Sequence, residues 1–401
     1  MDEVLLTILM PCLDEARTLP SCIRKAQAFL SRAGIQGEVL VTDNGSIDGS
    51  REIAEALGAT VLTITERGYG NALRAGIKQA RGKYVIMGDA DESYDFLALE
   101  GFLRKLEEGH DLVIGNRFSG GIRPGAMPLL HRYIGNPVLT LLGRIFFGSP
   151  VKDINCGLRG FRRDAILALG LNAPGMEFAI EMIVKAAMNR LSIAEVPTTL
   201  SPDGRDRPPH LRTFRDGWRS LRFYLLMSPR WLFLYPGALL ALFGAVASSI
   251  LLFTDIPIGE IVFSHHSLIL TAAMTNIGVQ SVFFWAFAAV VAAHAGLLPL
   301  DPWLGRLHGI FSLEGTIALG CTLVLCGVGS GAYALVYWYE LSFGEIAAGD
   351  LIRAVCAASF LAVLGFQLIF AAFFICLLDQ VPDQLRANSE SARQFAVAAA
   401  E

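Results

Sequence analysis

The sequence lacks the signatures of several protein classes. No Gly-x-x-x-x-Gly-Lys-Ser/Thr run occurs, which excludes a P-loop nucleotide site. Gly68-Tyr-Gly-Asn-Ala-Leu lacks the last glycine of the dinucleotide-binding motif and does not follow the first predicted strand, which argues against a dinucleotide fold. The formal net charge is only -4, so nothing in the charge balance indicates a nucleic-acid partner. The seven cysteines include no Cys-x-x-Cys pair, and we expect them to be reduced packing residues.

Charged residues are scarce, and their distribution along the chain is uneven. Only 17% of the 401 residues are charged and 53% are hydrophobic, a composition too apolar for an ordinary soluble protein. The region up to Ser228 has the mixed composition of a soluble domain, whereas Trp231 to Leu378 is a series of long apolar runs. The start, Met1-Asp2-Glu3-Val4, lacks the basic region and apolar core of a signal peptide, so we expect the first domain to stay in the cytosol.

Short apolar segments alternate with helical segments in the first half of the chain. Strands are predicted at residues 5–10, 38–42, 60–64, 85–87 and 111–115. This alternation is typical of βαβ units and predicts an α/β fold with a mostly parallel sheet. Residues that follow parallel strands should therefore lie on the same edge of the sheet.

The fourth predicted strand ends abruptly in acidic residues. Asp89 and Asp91 follow Val85-Ile-Met87 directly and can both reach one hard cation at the rim of the sheet. Carboxylates suit Mg²⁺ or Mn²⁺, which take substrate phosphates as further ligands, so a nucleotide diphosphate is the expected partner. Asp43 follows the second strand and should lie on the same edge. The alternative is a solvated acidic loop.

Five motifs occur in order between about residues 4 and 228. They are Pro11-x-x-x-Glu15, Asp43-Asn-Gly-Ser-Ile-Asp48-Gly-Ser, Asp89-Ala-Asp91, Gly115-Asn-Arg117-Phe and Asp153-Ile-Asn-Cys-Gly157-Leu-Arg159-Gly-Phe-Arg162. In these motifs and their spacing the chain resembles a family 2 glycosyltransferase of the GT-A fold. The last motif, followed by an arginine-rich segment before apolar runs, is similar to the polyprenyl-phosphate glycosyltransferase branch, which includes the dolichyl-phosphate mannose and glucose synthases.

The resemblance implies roles for the matched acidic residues. Pro11, Glu15 and Asp43 would border the nucleoside, with Asp43 accepting a hydrogen bond from the base. Asp89 and Asp91 would bind the metal and the diphosphate. The sequence departs from the family pattern at Asn44, Ser93 and Arg205-Asp-Arg207-Pro-Pro-His210.

A second set of residues is expected to bind the phosphate of the lipid. The resemblance places Arg117 at the reaction centre, and the position of Arg132 matches an arginine that contacts the lipid phosphate. Asn136, Arg205 and Arg207 complete this predicted set. For the arginines, a guanidinium fork matches phosphate oxygens and stays charged at any working pH. The predicted catalytic residues are Arg117, Asp91 and Arg132.

Two further segments are read from their patterns. Residues 126–148 are apolar with a few cations and too short to span a bilayer, which favours a helix lying in the headgroup plane; a core helix under the sheet is the alternative. Arg159 and Arg162 are three apart, so on a helix or turn they would share one face, either as phosphate ligands or as surface charges.

The predicted helix from Met176 to Arg190 contains Glu177 and Glu181 on one face. A sugar-hydroxyl acceptor would need such an acid as general base. A lipid phosphate has a second pKa near 6 and is already an anionic nucleophile at neutral pH, so we assign no catalytic base. The Gln-x-x-Arg-Trp signature of processive polysaccharide synthases is absent, which argues against chain elongation.

The second half of the chain predicts a membrane region. The predicted domains are a catalytic domain (1–210), a basic amphipathic helix (211–230), four spans (about 231–253, 268–295, 316–339 and 353–378) and a disordered tail (379–401). Arginines precede the first span and follow the fourth, which predicts both termini in the cytosol. Asn276, Gln280 and Gln367 within the spans predict a lipid path or, more often, packing hydrogen bonds. A homo-oligomer is left open.

The predicted function is inverting transfer of a hexose from a UDP- or GDP-linked sugar to a polyprenyl phosphate, undecaprenyl or dolichyl. One alternative is a glycosyltransferase that uses a sugar hydroxyl on a glycolipid, with Glu177 or Glu181 catalytic. Another is a glycolipid transporter or scaffold whose cytosolic domain only binds.

Overall fold

The computed structural model describes residues 4–205, 213–295, 297–299, 301, 303–304, 312–340, 342–343 and 348–398. The chain divides into two compact units, Met1–Tyr224 and Leu225–Glu401. The boundary falls inside the basic segment predicted over residues 211–230.

A seven-stranded sheet forms the centre of the first unit. Its strands are β1 (Leu6–Cys12), β2 (Gly37–Asp43), β3 (Thr60–Thr63), β4 (Tyr84–Met87), β5 (Leu112–Asn116), β6 (Arg159–Arg162) and β7 (Ile193–Pro197). They lie in the order β3-β2-β1-β4-β6-β5-β7. β6 is antiparallel to β4 and β5, whereas the other pairings are parallel. The predicted α/β fold class with a mostly parallel sheet is confirmed.

Helices connect the strands. They are α1 (Leu19–Ala33), α2 (Ser50–Ala56), α3 (Tyr69–Gln79), α4 (Glu100–Glu107), α5 (Arg117–Gly120), α6 (Asn136–Phe147), α7 (Arg163–Ala168), α8 (Phe178–Met188) and α9 (Thr213–Leu226). The sequence predicts the helix after β4 from about Phe96, but α4 begins at Glu100. Tyr94, Phe96 and Leu99 are buried in irregular turns. Their apolar pattern is therefore helix-like although this segment is not helical.

The strand register brings the acidic motifs to one edge. β1 and β4 are almost wholly buried, as expected for central strands covered on both faces. Cys12 pairs with Asp43, and Leu9 pairs with Met87, so the residues after β1, β2 and β4 follow neighbouring strand ends. This is the edge where open α/β sheets bind ligands.

Residues 159–162 correct one expectation. Arg159 and Arg162 were predicted to share a face of a helix or turn, but they begin and end β6. Side chains three apart on a strand point to opposite faces, and here Arg159 is fully buried while Arg162 pairs with Asp111 at 2.9 Å. The prediction was wrong because β4 and β5 both pair with this segment across long sequence separations.

A π-helical turn, His131–Gly135, continues directly into α6. The combined helix buries Thr140 and Gly143 against the domain but leaves a stripe of large apolar side chains exposed. The exposed stripe consists of Ile134, Val138, Leu141 and Ile145. Their spacing of three and four residues places them on one face. The helix therefore lies at the surface of the first unit and does not form its core.

The described part of the second unit contains four helices that are long and apolar enough to cross a membrane: Arg230–Leu251, His265–His294, Leu313–Glu340 and Leu351–Leu378. Small residues allow close approach in two pairs. Gly237 of the first helix meets Gly278 of the second, and Gly320 of the third meets Gly365 of the fourth. The predicted four-helix membrane region is confirmed.

Polar groups within the membrane helices contact one another. The Gln367 amide donates to the backbone carbonyl of Asn276 at 3.5 Å, as the packing interpretation predicts. The fourth helix belongs to a longer one that continues to Ala398, where the sequence predicted a disordered tail. Residues 383–398 contain four alanines, two glutamines and two arginines, and these residue types are good helix formers.

Candidate active site

The acid pair after β4 lies at the sheet edge. Asp91 is buried, and its Oδ1 accepts hydrogen bonds from the Ser93 backbone N–H at 3.0 Å and the Ser93 hydroxyl at 2.5 Å. Asp89 accepts a hydrogen bond from the Tyr69 hydroxyl at 3.1 Å. Each carboxylate is thus oriented by a neighbouring hydroxyl group.

Burial and the charge of Asp91 together raise the pKa of Asp89 to about 6. Burial of the Tyr69 hydroxyl, together with the charge of Asp89, raises the pKa of Tyr69 well above its usual value. Tyr69 is positioned by the docking of α3, whose Gly70 N–H donates to the Pro174 carbonyl at 2.9 Å. Gly68 has a φ of +138°, and a Cβ there would collide with the Pro174 oxygen, so only glycine fits.

Arg205 joins the acids of two strands. Its guanidinium contacts Glu15 at 2.7 Å and Asp91 at 3.2 Å. Glu15 also accepts a hydrogen bond from the Thr18 hydroxyl at 3.1 Å. We predicted Arg205 as a lipid-phosphate ligand, but the structure places it among the acids assigned to the nucleotide and metal. A cation in this position can neutralise a diphosphate.

The end of β2 forms the side assigned to the nucleoside, beside Pro11 near the end of β1. Asp43 is fully buried, and its carboxylate accepts the N–H groups of Gly45 and Ser46 at 3.1 and 3.2 Å. Asn44 donates to the Glu66 carbonyl at 2.9 Å and accepts the Gly68 N–H at 2.6 Å. An aspartate could not donate the first bond, which explains the departure from the family pattern at this position.

Arg117 is buried in an ion pair with Asp153. Its Nε and Nη2 each donate to the Asp153 carboxylate at 2.8 Å, and its backbone N–H donates at 3.0 Å. Burial alone would lower the pKa of Arg117, but Tyr94 and the Asp153 carboxylate outweigh it and raise the pKa above its usual value, so the guanidinium stays charged. Its Nη1 group has no partner within the described residues and is left for a ligand.

Residues 153–158 form a loop between Arg117 and the metal acids. The Gly157 N–H donates to the Tyr94 hydroxyl at 2.9 Å, and a Cβ on Gly157 would lie 2.7 Å from Asp89 Oδ2, so a side chain there would displace the carboxylate. The buried side chain of Arg159 holds this loop in place. It donates to the carbonyls of Ile154 at 3.0 Å and Cys156 at 2.8 Å, and to that of Ala179 in α8.

The remaining predicted phosphate ligands lie apart from this cluster. Arg132 belongs to the π-helical turn and stacks on the Tyr133 ring at 5.5 Å. Asn136 accepts a hydrogen bond from the Asn155 amide at 2.9 Å, which connects the helix to the loop 153–158. Arg207 lies outside the described residues.

The two candidate bases differ in availability. Glu181 is buried, pairs with Lys185 at 3.0 Å and accepts the backbone N–H groups of Asn172 and Ala173. These contacts give Glu181 a structural role. Glu177 precedes α8, and its Oε2 is buried without a hydrogen-bond partner in the described part of the chain.

The chemistry of the acid pair fits Mg²⁺ or Mn²⁺. Within the described residues, no group of three or more His, Cys, Asp or Glu side chains is arranged to hold a metal. Two carboxylates are enough when phosphate oxygens and waters complete the shell, which is how Mg²⁺ is usually bound. The raised pKa of Asp89 also fits, because a bound cation favours the ionised carboxylate.

Metal binding at this site should depend on pH. Because the pKa of Asp89 is about 6, a metal must displace its proton below that pH. We expect the Kd for Mn²⁺ in the presence of UDP to rise roughly tenfold per pH unit below 6 and to be flat above 7. Calorimetric titration from pH 5 to 8 measures this, with Mn²⁺ and UDP alone titrated in parallel. A slope equal to that of free nucleotide would contradict the assignment.

Several residues of the site had no assigned role in the sequence. Tyr69 and Tyr94 gave no signal beyond their proximity to glycine and acidic motifs. Asp153 and Asn155 begin a motif that was noted for its arginines, and their contacts with Arg117 and Asn136 could not be read from spacing.

The mostly parallel sheet, the carboxylate pair at its edge and the four membrane helices define a membrane-bound transferase of the GT-A type. Residues 7–170 match the model of glycosyl transferase family 2, and residues 286–379 match the glycosyltransferase family 2 C-terminal transmembrane region. The chain belongs to glycosyltransferase family 2. It is therefore an integral membrane enzyme, and the interpretation as a non-catalytic transporter or scaffold is set aside.

Two relatives from Haloferax volcanii illustrate the similarity. The low-salt glycan biosynthesis hexosyltransferase Agl6 is 36% identical over 94% of this chain and 89% of its own length. A dolichyl-phosphate hexose transferase is 33% identical over 40% of this chain and 69% of its own length. Among solved structures, glucosyl-3-phosphoglycerate synthase from Mycobacterium tuberculosis, with Mn²⁺, UDP-glucose and phosphoglyceric acid, is 25% identical with a TM-score of 0.45, covering 55% of this chain and 78% of that one.

Proposed function

We propose that the protein transfers a hexose, with inversion, from a UDP- or GDP-linked sugar to a membrane polyprenyl phosphate. The observation that supports this most directly is the cluster of Glu15, Asp89, Asp91 and Arg205 at the edge of a domain that also exposes an apolar helical stripe. The names of the two Haloferax volcanii relatives, a hexosyltransferase and a dolichyl-phosphate hexose transferase, agree with it.

In this proposal the acidic edge binds the donor. Asp43 lies on the nucleoside side, and Arg205 holds the diphosphate beside Asp91. A Mg²⁺ or Mn²⁺ bound by Asp89 and Asp91 would neutralise the charge of the departing diphosphate. Tyr69 and Ser93 keep the two carboxylates oriented, so no rearrangement is needed when the donor enters.

The acceptor half of the mechanism uses positive charge instead of a base. Arg117 offers Nη1 to the lipid phosphate, while Asp153 fixes the plane of its guanidinium. Arg132 and Asn136 lie on the helix that we place in the headgroup layer, where a polyprenyl phosphate would approach. A phosphate dianion attacks the anomeric carbon from the face opposite the leaving group, so one displacement inverts the configuration.

The proposal is tested by transfer from labelled UDP- and GDP-sugars by the purified full chain with Mn²⁺ or Mg²⁺. Label should reach the lipid fraction only when undecaprenyl or dolichyl phosphate is present, and Asp91→Ala should abolish it. Metal-dependent nucleotide binding without transfer to a phosphorylated prenol would refute the phosphate acceptor.

A glycolipid hydroxyl acceptor remains the second candidate, favoured by the unpartnered Oε2 of Glu177. We expect Glu177→Gln to change kcat less than about threefold, because a phosphate nucleophile needs no general base. A general base usually contributes roughly 10²–10⁴-fold. A loss of that size, largest at neutral to high pH and shrinking at low pH where the wild-type base is itself protonated, would point to the hydroxyl acceptor. Glu181→Gln is no substitute test, since it breaks the buried pair with Lys185.

We also propose that the catalytic unit and both termini lie in the cytosol. Arg219 and Arg222 precede the first membrane helix and Arg230 begins it, whereas the loop from 254 to 264 contains Asp255 and Glu260 but no Lys or Arg. Labelling of single cysteines introduced into this loop and into the tail tests the arrangement.

A further inference from the structure

A cavity of about 290 Å³ opens beside α6. It is lined by Phe118, Pro137, Thr140, Leu141, Arg144 and Lys152. Leu141 also belongs to the exposed apolar stripe of α6, so the cavity lies at the border of the surface that we place on the membrane.

The cavity is positively charged. Arg144 and Lys152 are exposed, and within the described residues neither side chain has an ion pair or a hydrogen bond. The acid that contacts this loop is Glu195, whose Oε1 accepts the backbone N–H groups of Lys152 at 2.7 Å and Asp153 at 3.2 Å. That carboxylate oxygen is bound by backbone groups and makes no ion pair with Arg144 or Lys152 in the described part of the chain.

The cavity is distinct from the acceptor position proposed above. Phe118 and Lys152 line it, whereas their neighbours Arg117 and Asp153 form the buried pair. Neither Arg144 nor Lys152 contacts Asp89 in the described part of the chain. A phosphate that reacts with the donor sugar has to reach the acid pair, so a phosphate in this cavity has another source.

We propose that this cavity binds the phosphate headgroup of an anionic phospholipid in the surrounding bilayer. It rests on the proposed contact of α6 with the membrane and adds a specific lipid to it. The apolar stripe would enter the headgroup boundary while Arg144 and Lys152 meet the phosphate at its level. A bound lipid would hold the catalytic unit in one orientation on the membrane.

The test uses the full chain in nanodiscs of phosphatidylcholine, alone or with increasing phosphatidylglycerol. Native mass spectrometry measures the phosphatidylglycerol retained by the released protein, and transfer to undecaprenyl phosphate is measured in parallel. The variant is Arg144→Gln with Lys152→Gln. The matched control removes two cations of α1, the exposed Arg24 and the half-buried Lys25, as Arg24→Gln with Lys25→Gln.

A headgroup cation near an anionic surface contributes about fivefold to binding, so the double variant should retain phosphatidylglycerol roughly 30-fold less well than wild type. The control pair should retain it normally, and Arg144→Lys with Lys152→Arg should restore most of the binding. In phosphatidylcholine alone, the KM for undecaprenyl phosphate should be unchanged.

Equal retention by wild type and the double variant would overturn the proposal, as would an equal loss in the control pair. A raised KM for undecaprenyl phosphate in phosphatidylcholine alone would also overturn it, because the cavity would then belong to the acceptor. The retention measurement needs no sugar transfer, so failure of the proposed reaction and failure of this lipid site are told apart.

Discussion

Asp89→Asn should lower sugar transfer by roughly 100-fold or more while making the protein more stable above pH 7. The amide removes one of the two proposed metal ligands but still accepts the Tyr69 hydrogen bond. The pKa of Asp89 is raised to about 6 from 3.8, so the folded protein keeps a proton that the unfolded chain loses in that range. Stability therefore falls as the pH rises through this window and stays lower above it.

The expected gain in stability of Asp89→Asn follows from the raised pKa of Asp89. Removing the ionisable group should add about 1–3 kcal/mol to the free energy of unfolding at pH 8 but only a small fraction of that at pH 4, where the folded carboxyl is neutral and the unfolded one is only about half ionised. Thermal melts of the two proteins at pH 4, 6 and 8 measure the difference. The control is Asp95→Asn, an exposed acid on the same loop, for which neither transfer nor the pH profile should change. A uniform shift of the melting temperature at all pH values would contradict the role assigned to burial.

Asp153→Ala should be among the most destabilising single substitutions in the catalytic unit. Asp153 is fully buried, and its loss leaves the buried guanidinium of Arg117 without a counter-charge. Breaking a buried ion pair in this way costs about 3–5 kcal/mol. We expect the melting temperature to fall by roughly 6–20 °C, and transfer to fall even at temperatures where the protein is folded, because Arg117 is no longer oriented.

An exposed pair of the same types provides the comparison. Arg163 and Asp164 lie 3.6 Å apart, but the Asp164 side chain is 90% exposed. Exposed pairs of this kind contribute about 0–1 kcal/mol, so Asp164→Ala should leave the melting temperature nearly unchanged. If the two substitutions lowered the melting temperature by similar amounts, burial of the Arg117–Asp153 pair would not be the cause of its large contribution to stability.

The sheet and its acidic edge were predictable because their signals are local. Each strand is a short apolar run, and the residues that follow it are fixed to one edge by parallel pairing. Asp43, Asp89 and Asp91 could therefore be placed together before any contact was known. A surface helix in the segment of α6 was likewise expected, from its apolar composition with a few cations.

The pairings among the charged residues were not predictable, since they join distant segments. Arg205 reaches Glu15 across 190 residues, and Arg117 reaches Asp153 across 36. Nothing in the local pattern distinguishes a phosphate ligand from a cation that already has a partner. For Arg159, only the pairing of β6 with two strands decides that the side chain is buried.

Arg159 has a consequence for protein engineering. One guanidinium fastens two carbonyls of the loop 153–158 and a third at Ala179 in α8. These segments are separate in sequence, but the Arg159 side chain joins them, so they must be exchanged together. A chimera that imports α8 from another family member should fold poorly unless the loop and β6 come with it, so exchange of acceptor preference between relatives has to move residues 153–188 as one block.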